Sequence, residues 1–495
     1  MRPFALALTT ALVCSTAYAV PALAKTDIAL SIQQEPTVLD PTTDATASID
    51  GMLTHNVYES LTTVNEQGEV LPALATEWTI SEDGLTYTFK LATGVQYHDG
   101  TSFDANDVKF AFDRAMAETS TNPSKGIFAP IETVTVVDAN TVEIRLKQKD
   151  AFFLFNMAQG DASIVASESA DANTTNPVGT GPFRFESWTR GDRLVLVKND
   201  DYRDAANVQM TRVTFRFIAD PTAATNALMS GEIDATPGFP SPELLPQFEA
   251  DPRFNVAVGT TQGEVILALN NGHAPFNDIR VRRAVSHALD RKEIIDGAMY
   301  GYATPIGSFF PPSDANYVDL TNRYPHDEDA ARTLLKEAGV ADNTKLRLRI
   351  PPYTYATRSA TIIQAELAKV GLDVEIEPLE WGAWLDQVYK KSDYDMSIIA
   401  HTSPNDLSNF ANKKDYFYGY ENPQFIEMWN TIKQEADPER RAELLKQAQT
   451  FIADEAVHGF LFQLPSLGVY KKELSGYWTS APVIFSPLKS LKWTD

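Results

Sequence analysis

The order of apolar and polar positions between residues 85 and 116 predicts a strand, a turn and a helix. Apolar and polar residues alternate over 87–91, which is the period of a half-buried strand. Apolar residues then recur at helical spacing over 108–116. Asp104 stands three residues before Asp107, an arrangement typical of a capped helix with an acid in its first turn. The segment should therefore fold as one compact local unit.

Two later segments each predict a strand–helix–strand unit. The first covers residues 213–235, and the second covers residues 346–376. A unit of this kind implies two parallel strands joined by a right-handed crossover. Two such units far apart in the chain fit two α/β lobes, and a length of 495 residues is sufficient for two or three domains. The pattern also predicts helices over residues 48–61 and 438–456.

Composition limits the range of partners. Apolar residues make up 43% of the chain and charged residues 22%, which is ordinary for a soluble globular protein. The net charge of -24 argues against binding to nucleic acid or to anionic lipid, because both partners are themselves negative. A charge of this size favours solubility and does not name a ligand.

The first 24 residues are typical of a cleaved signal peptide, with a basic start, an apolar stretch and an A-x-A site. Cleavage after Ala24 or after Ala19 fits the pattern. The single cysteine, Cys14, lies inside this segment, and Val13 before it is too bulky for a lipoprotein signal, so no lipid anchor is expected. The mature chain should be exported to the periplasm without a cysteine and without a membrane span.

Motifs for catalysis or metal binding are absent from the sequence. There is no G-x-S-x-G, H-E-x-x-H or C-x-x-C segment, and the seven histidines lack metal-ligand spacing. Gly179 and Gly181 do not form a phosphate loop, because Pro182 follows and donates no N–H. We expect no enzymatic activity and no cofactor. An exported hydrolase is the alternative from another class, and no feature of the sequence supports it.

Residues 88–114 resemble, almost position by position, a segment that recurs in family 5 extracellular solute-binding proteins, the peptide, opine and nickel-chelate receptors of bacterial ABC importers. Residues 275–296 and 327–339 resemble further segments of the family. The resemblance implies an α/β fold with two lobes, that of a type II-like, cluster C periplasmic binding protein. The implied organisation is a signal peptide (1–24), a first lobe (25–265) with an extra small subdomain (66–170), a second lobe (266–467) and a return to the first lobe (468–495).

The family resemblance also implies a function. The protein would be the periplasmic component of an ABC importer. It would close its lobes over a short peptide or a peptide-like solute, such as an opine or a modified amino acid. It would then deliver this solute to permease subunits that are driven by ATPase subunits. It would be a monomer and would bind no nucleic acid. The alternative is a nickel-chelate or haem receptor of the same fold, in which His401 would meet the metal.

The candidate ligand site follows the strand predicted over 396–400. Ligands of open α/β sheets bind beyond the carboxyl ends of strands, and residues 401–420 form a long polar and aromatic segment at such an end. The resemblance implies that Asp406 binds the amino group of the ligand, although Leu407 replaces the usual proline and His401 the usual tryptophan. The candidate ligand-binding residues are Asp406, His401, Trp381, Tyr420, Asp40 and His55.

Alternatives remain open for several of these positions. Trp381 could pack in the core, and Asp406 could serve as a turn residue. Dipeptide receptors of the family place an arginine before the helix that corresponds to residues 360–370, where it pairs with the ligand carboxylate. Here Arg358 comes several residues later than that position, and whether it binds a carboxylate is left open.

Overall fold

The computed structural model describes residues 25–402, 406–411 and 416–494. The predicted signal peptide lies outside the described residues. Within those residues, no helix is both long and apolar enough to cross a membrane.

The strands, in chain order, are β1 (Asp27–Ile32), β2 (Thr62–Val64), β3 (Val70–Pro72), β4 (Ala75–Ile80), β5 (Thr86–Leu91), β6 (Ile131–Asp138), β7 (Thr141–Leu146), β8 (Phe183–Thr189), β9 (Arg193–Lys198), β10 (Arg212–Phe217), β11 (Ala235–Pro237), β12 (Phe254–Leu269), β13 (Thr304–Pro305), β14 (Thr344–Ile350), β15 (Leu372–Pro378), β16 (Met396–His401), β17 (His458–Lys471), β18 (Leu474–Ser475) and β19 (Lys492–Trp493).

The α-helices are α1 (Ala47–Leu53), α2 (Ala105–Met116), α3 (Phe153–Asn156), α4 (Pro221–Ser230), α5 (Leu245–Glu249), α6 (Ile279–Ala288), α7 (Arg291–Met299), α8 (Glu328–Glu337), α9 (Thr354–Lys369), α10 (Trp381–Trp384), α11 (Pro423–Gln434) and α12 (Pro438–Asp454). A π-helical turn, Leu385–Lys390, continues α10.

Aspartate side chains begin most of the longer helices. Each accepts a hydrogen bond from a backbone N–H of the first turn, which satisfies a donor that has no partner inside the helix. The capping aspartates are Asp104, Asp220, Asp278, Asp290, Asp327 and Asp437. At α2 the cap is reciprocal, because the Asp107 carboxylate accepts from the backbone N–H of Asp104 at 2.8 Å. Some of the acidic residues therefore stabilise the first turns of helices.

One large mixed sheet runs through the protein in the order β15-β14-β16-β12-β17-β11-β1-β10-β9-β8. Strands β11, β1 and β10 are parallel at one end, and β15, β14 and β16 are parallel at the other. We call the halves that contain these two groups the first lobe and the second lobe. Both predicted strand–helix–strand units are present, and in the first of them β1 lies between the two predicted strands.

The long strands β12 and β17 belong to both lobes. They pair with each other in antiparallel register from Phe254 opposite Lys471 to Ala268 opposite His458. The register shifts between Thr260 and Glu264. Beyond the shift β12 also pairs with β16 of the second lobe, whereas the far end of β17 pairs with β11 of the first. These two strands therefore connect the lobes.

A separate four-stranded antiparallel sheet, in the order β4-β5-β7-β6, lies in the first lobe. Phe89 of β5 and Phe112 of α2 are fully buried and belong to the same apolar core as Leu30 of β1. The segment over 85–116 has the predicted strand, turn and helix, with Gly100 in the turn at a φ of 90°.

The predicted helix over 48–61 ends early, at Leu53. The following backbone is used by another segment, because the carbonyl oxygens of Asn56 and Val57 accept from the N–H groups of Phe183 and Gly181, each at 2.9 Å. In a continued helix those carbonyls would instead accept from N–H groups four residues later in the helix. The apolar periodicity of 48–61 is real, and a tertiary contact overrides it.

The Gly-Thr-Gly segment makes this close approach possible. A Cβ atom at Gly179 would lie 2.0 Å from the carbonyl oxygen of Val57, and one at Gly181 would lie 2.4 Å from that of Asn56. Only a residue without a side chain fits at such distances. The two glycines are thus explained by backbone packing.

We expect Gly179→Ala to lower the free energy of unfolding by about 1–3 kcal/mol, the usual cost of forcing extra atoms into a packed site. Urea denaturation of the purified mature protein measures this change in the free energy of unfolding. Gly382→Ala in α10 is the control, since its Cβ would meet nothing within 4 Å. Equal stability of the two variants would contradict the packing role of Gly179.

Candidate functional site

A cavity of about 960 Å³ lies between the two lobes. Its wall includes the end of β16, the start of α10, α1 and the segment after β7. Cavities of this size that combine aromatic groups with a few polar ones are the usual form of a small-ligand site. The charged or titratable side chains of the described lining are Asp50, Lys147, Asp150, Asp161, Tyr353, Tyr355, Tyr389, His401, Asp406, Tyr416 and Lys433.

The two lobes touch on one side of this cavity through an aromatic pair. The ring of Phe152 stacks on that of Trp429, with centroids 5.7 Å apart and planes inclined by 5°. Beside it the N–H of Ala151 donates to the carbonyl oxygen of Lys433 at 2.8 Å. A second set of contacts joins Tyr353 to Gln34 and the Trp381 indole N–H to the Thr46 hydroxyl, the latter at 3.4 Å. The structure is therefore closed over the cavity.

An aromatic wall covers the second-lobe side. Trp381 stacks on Trp384 at 5.2 Å between ring centroids, and Tyr353 meets Trp381 edge-on at 5.6 Å. The Trp384 indole N–H donates to the buried Ser397 hydroxyl at 3.0 Å, and this bond fixes the Trp384 ring on which Trp381 stacks. Trp381 is only half-buried and faces the cavity, so its position combines core packing with an accessible ring face.

His401 and Asp406 form the polar part of the second-lobe side. Nδ1 of His401 lies 3.6 Å from the Asp406 carboxylate, and Nε2 lies 2.6 Å from the Tyr418 hydroxyl. Burial raises the pKa of Tyr418 well above its usual value. The Asp406 carboxylate also accepts from the Asn409 amide at 3.1 Å, and Asp406 lines the cavity.

This arrangement leaves His401 poorly suited to bind a metal, because both ring nitrogens already contact side chains. Among residues 25–402, 406–411 and 416–494 there is no group of three or more His, Cys, Asp or Glu side chains that could hold a metal ion. The nickel or haem alternative stays a prediction.

Two carboxylates of the first lobe, Asp50 and Asp161, also line the cavity. Burial, together with the charge of Asp161, raises the pKa of Asp50 well above its usual value. Burial raises the pKa of Asp161 to about 6. No sequence signal pointed to this pair, because the residues are far apart in the chain and lie in no recognisable motif.

Three of the candidate residues lie away from the cavity. Asp40 is fully buried and accepts from the N–H and hydroxyl of Thr42, at 2.9 and 2.6 Å, with Arg114 at 3.4 Å. Its carboxylate shapes a loop of the first lobe and does not reach the cavity.

His55 and Tyr420 are likewise occupied by the core. Nε2 of His55 lies 3.0 Å from the carbonyl oxygen of Ala158, its ring packs on Phe485 at 4.5 Å, and burial lowers its pKa. The Tyr420 side chain is 6% exposed and packs edge-on against Phe410. Trp381, His401 and Asp406 are thus the candidates that the fold brings together at the cavity.

Arg358 is held by another residue. Its guanidinium makes two hydrogen bonds to the Glu243 carboxylate, at 3.0 and 2.8 Å, and its side chain is absent from the cavity lining. A bidentate pair of this kind satisfies the charge of both groups. The Arg358 guanidinium therefore does not face a ligand in this closed arrangement.

Comparison with known proteins gives consistent results. The chain is 29% identical over 456 residues to the dipeptide-binding protein of Escherichia coli K12, covering 83% of this chain and 84% of the relative. It is 27% identical over 493 residues to the glutathione-binding protein GsiB of Salmonella paratyphi A, covering 95% and 96%. The structure of the periplasmic binding protein DppA from Helicobacter pylori with the peptide STSA superposes with a TM-score of 0.87 at 27% identity, covering 95% of this chain and 98% of that one.

The two-lobed fold and the expected family agree with these relatives. A model described as "Bacterial extracellular solute-binding proteins, family 5 Middle" matches residues 69–422, well over half of the chain. The chain therefore belongs to the family 5 bacterial extracellular solute-binding proteins.

Proposed function

We propose that this protein captures a short peptide or a peptide-like solute, such as an opine or a modified amino acid, and delivers it to the permease of an ABC importer. The observation that carries the proposal is the closed cavity between the lobes, which brings the Asp406 carboxylate and the Trp381 ring to one space. The ligands named for the Escherichia coli and Helicobacter pylori relatives support this ligand class.

In this proposal Asp406 binds the amino group of the solute. The His401 ring lies 3.6 Å from the carboxylate, and an ammonium group in the cavity would make a charge-assisted hydrogen bond to it. Trp381 supplies an apolar face for a side chain of the solute. The carboxylate group of the solute would be bound differently here than in a dipeptide receptor, because the Arg358 guanidinium is paired with Glu243. Lys147 and Lys433, which line the cavity, are the cations that could meet it.

The role that we propose is that of a receptor without chemistry of its own. The mature chain would act as a monomer in the periplasm, and its closed form would be the one recognised by the permease and its ATPase subunits. Closure by rotation of two lobes about connecting strands is a common device of binding proteins. Here β12 and β17 are the strands about which such a rotation would occur.

We expect Asp406→Asn to weaken peptide binding by about 1.5–3 kcal/mol, which is roughly tenfold to a hundredfold in Kd, because a bond to a charged group is lost. The solute is first identified by mass spectrometry of the molecule released when the purified protein is denatured. Calorimetry with that solute then measures the affinity. Asp373→Asn, an exposed carboxylate of β15, is the control and should bind as wild type does. Unchanged affinity in Asp406→Asn would refute the amino-group role.

We further expect Phe152→Ala to open the protein, since the stacked pair with Trp429 joins the lobes and such pairs contribute about 0.5–1.5 kcal/mol. Small-angle scattering should give a larger radius of gyration for the unliganded variant than for wild type, and affinity for the solute should fall. Trp188→Ala removes an aromatic ring whose indole N–H bonds to Glu35 within the first lobe, and it should change neither quantity. If the two variants scatter alike, the stack does not govern closure.

A further inference from the structure

Asp50 and Asp161 both line the first-lobe wall of the cavity. The Thr54 hydroxyl donates to Asp50 at 2.9 Å and holds it in place. A Cβ atom at Gly160 would lie 1.7 Å from the same Asp50 oxygen, so this carboxylate rests directly on the backbone that precedes Asp161. The pair is therefore built by close packing and does not arise from two flexible surface chains.

Neither carboxylate has a cationic partner in the part of the chain that the structure describes. The Thr54 hydroxyl donates to Asp50, and the Asp161 carboxylate accepts from the Ser124 hydroxyl and from backbone N–H groups. The Asp161 charge disfavours ionisation of Asp50, which is the expected effect of two acids that share one poorly solvated place. By contrast, Asp150 on the same wall feels the opposite charge of Lys433. A cation supplied from the cavity would satisfy the pair.

The second lobe presents its own carboxylate to the same region. Burial raises the pKa of Tyr389, and the charges of Asp406 and Asp161 raise it further. The Tyr389 hydroxyl therefore lies within the electrostatic reach of carboxylates from both lobes. Closing the lobes brings the Asp406 carboxylate toward those of the first lobe, a repulsion that a positive ligand would remove. A ligand shifts closure only through such a difference between the open and the closed state.

We propose that the solute carries a second cationic group, an amine or a guanidinium, and that Asp50 and Asp161 bind it while Asp406 binds the first. This inference rests on the proposed function and specifies its ligand as a basic peptide or peptide-like compound. The two cationic groups would bridge the lobes, so that positive charge on the solute drives closure. The Trp381 ring remains available for the apolar stem of a basic side chain.

The test compares two tripeptides of matched length, Ala-Lys-Ala and Ala-norleucine-Ala, which differ in one terminal ammonium group. Calorimetry on the mature protein, freed of its co-purified solute, should show that the lysyl peptide binds about tenfold or more tightly, as expected for one additional charge-assisted bond. Asp50→Asn and Asp161→Asn should each abolish most of this preference. Asp171→Asn, which neutralises an exposed carboxylate of the first lobe, should keep it.

A third probe, 1,5-diaminopentane, separates this inference from the proposed function. If both peptides bind equally to wild type, or if the preference persists in both site variants, the acid pair is not a cation subsite and the peptide proposal stands. If neither peptide binds but the diamine does, with a loss in Asp50→Asn and Asp161→Asn, the subsite stands and the peptide proposal falls. If none of the three binds, both are overturned. Thermal melts show whether each variant is folded. One folded variant, Asp50→Asn or Asp161→Asn, is sufficient for the test.

Discussion

The antiparallel ladder between β12 and β17 is the constraint on which the rest of the structure depends. It continues from one lobe into the other, so the backbone hydrogen bonds of a single sheet join two separate apolar cores. A ladder of this length resists shear, because sliding by one residue would move every side chain to the opposite face. It tolerates bending at the register shift between Thr260 and Glu264, where regular pairing is interrupted. The cavity lies where the two halves meet.

Two opposing forces act across that cavity. Aromatic contacts such as the Phe152–Trp429 stack favour the closed arrangement. In our proposal, repulsion between Asp50 and Asp161 of the first lobe and Asp406 of the second opposes it, since all three line the same cavity. The balance between them depends on what occupies the cavity. A receptor needs this property, since closure should report the presence of a solute.

The segments by which the chain resembles its family serve mainly to build the fold. Glu59 is buried and receives two hydrogen bonds from Arg203, at 2.7 and 2.6 Å, and a third from the Thr180 hydroxyl at 3.0 Å. These three residues come from three separate segments of the chain, and they meet in one network of the first lobe. The capped helix α2 belongs to the same lobe and does not line the cavity. Strong family signals therefore lie away from the parts that select a ligand.

The sequence by itself determined the features that depend on neighbours in the chain. The Asp104–Asp107 cap, the alternating strand β5 and the β14–α9–β15 unit all follow from periodicity and capping, and the structure has each of them. Only the tertiary structure decided which polar groups face the cavity. It placed Asp40 in a buried loop, gave the Arg358 guanidinium to Glu243, and brought Asp50 next to Asp161. The physical reason is that burial and charge pairing are properties of a position in space, and residues a hundred or more apart share such a position only after the chain has folded.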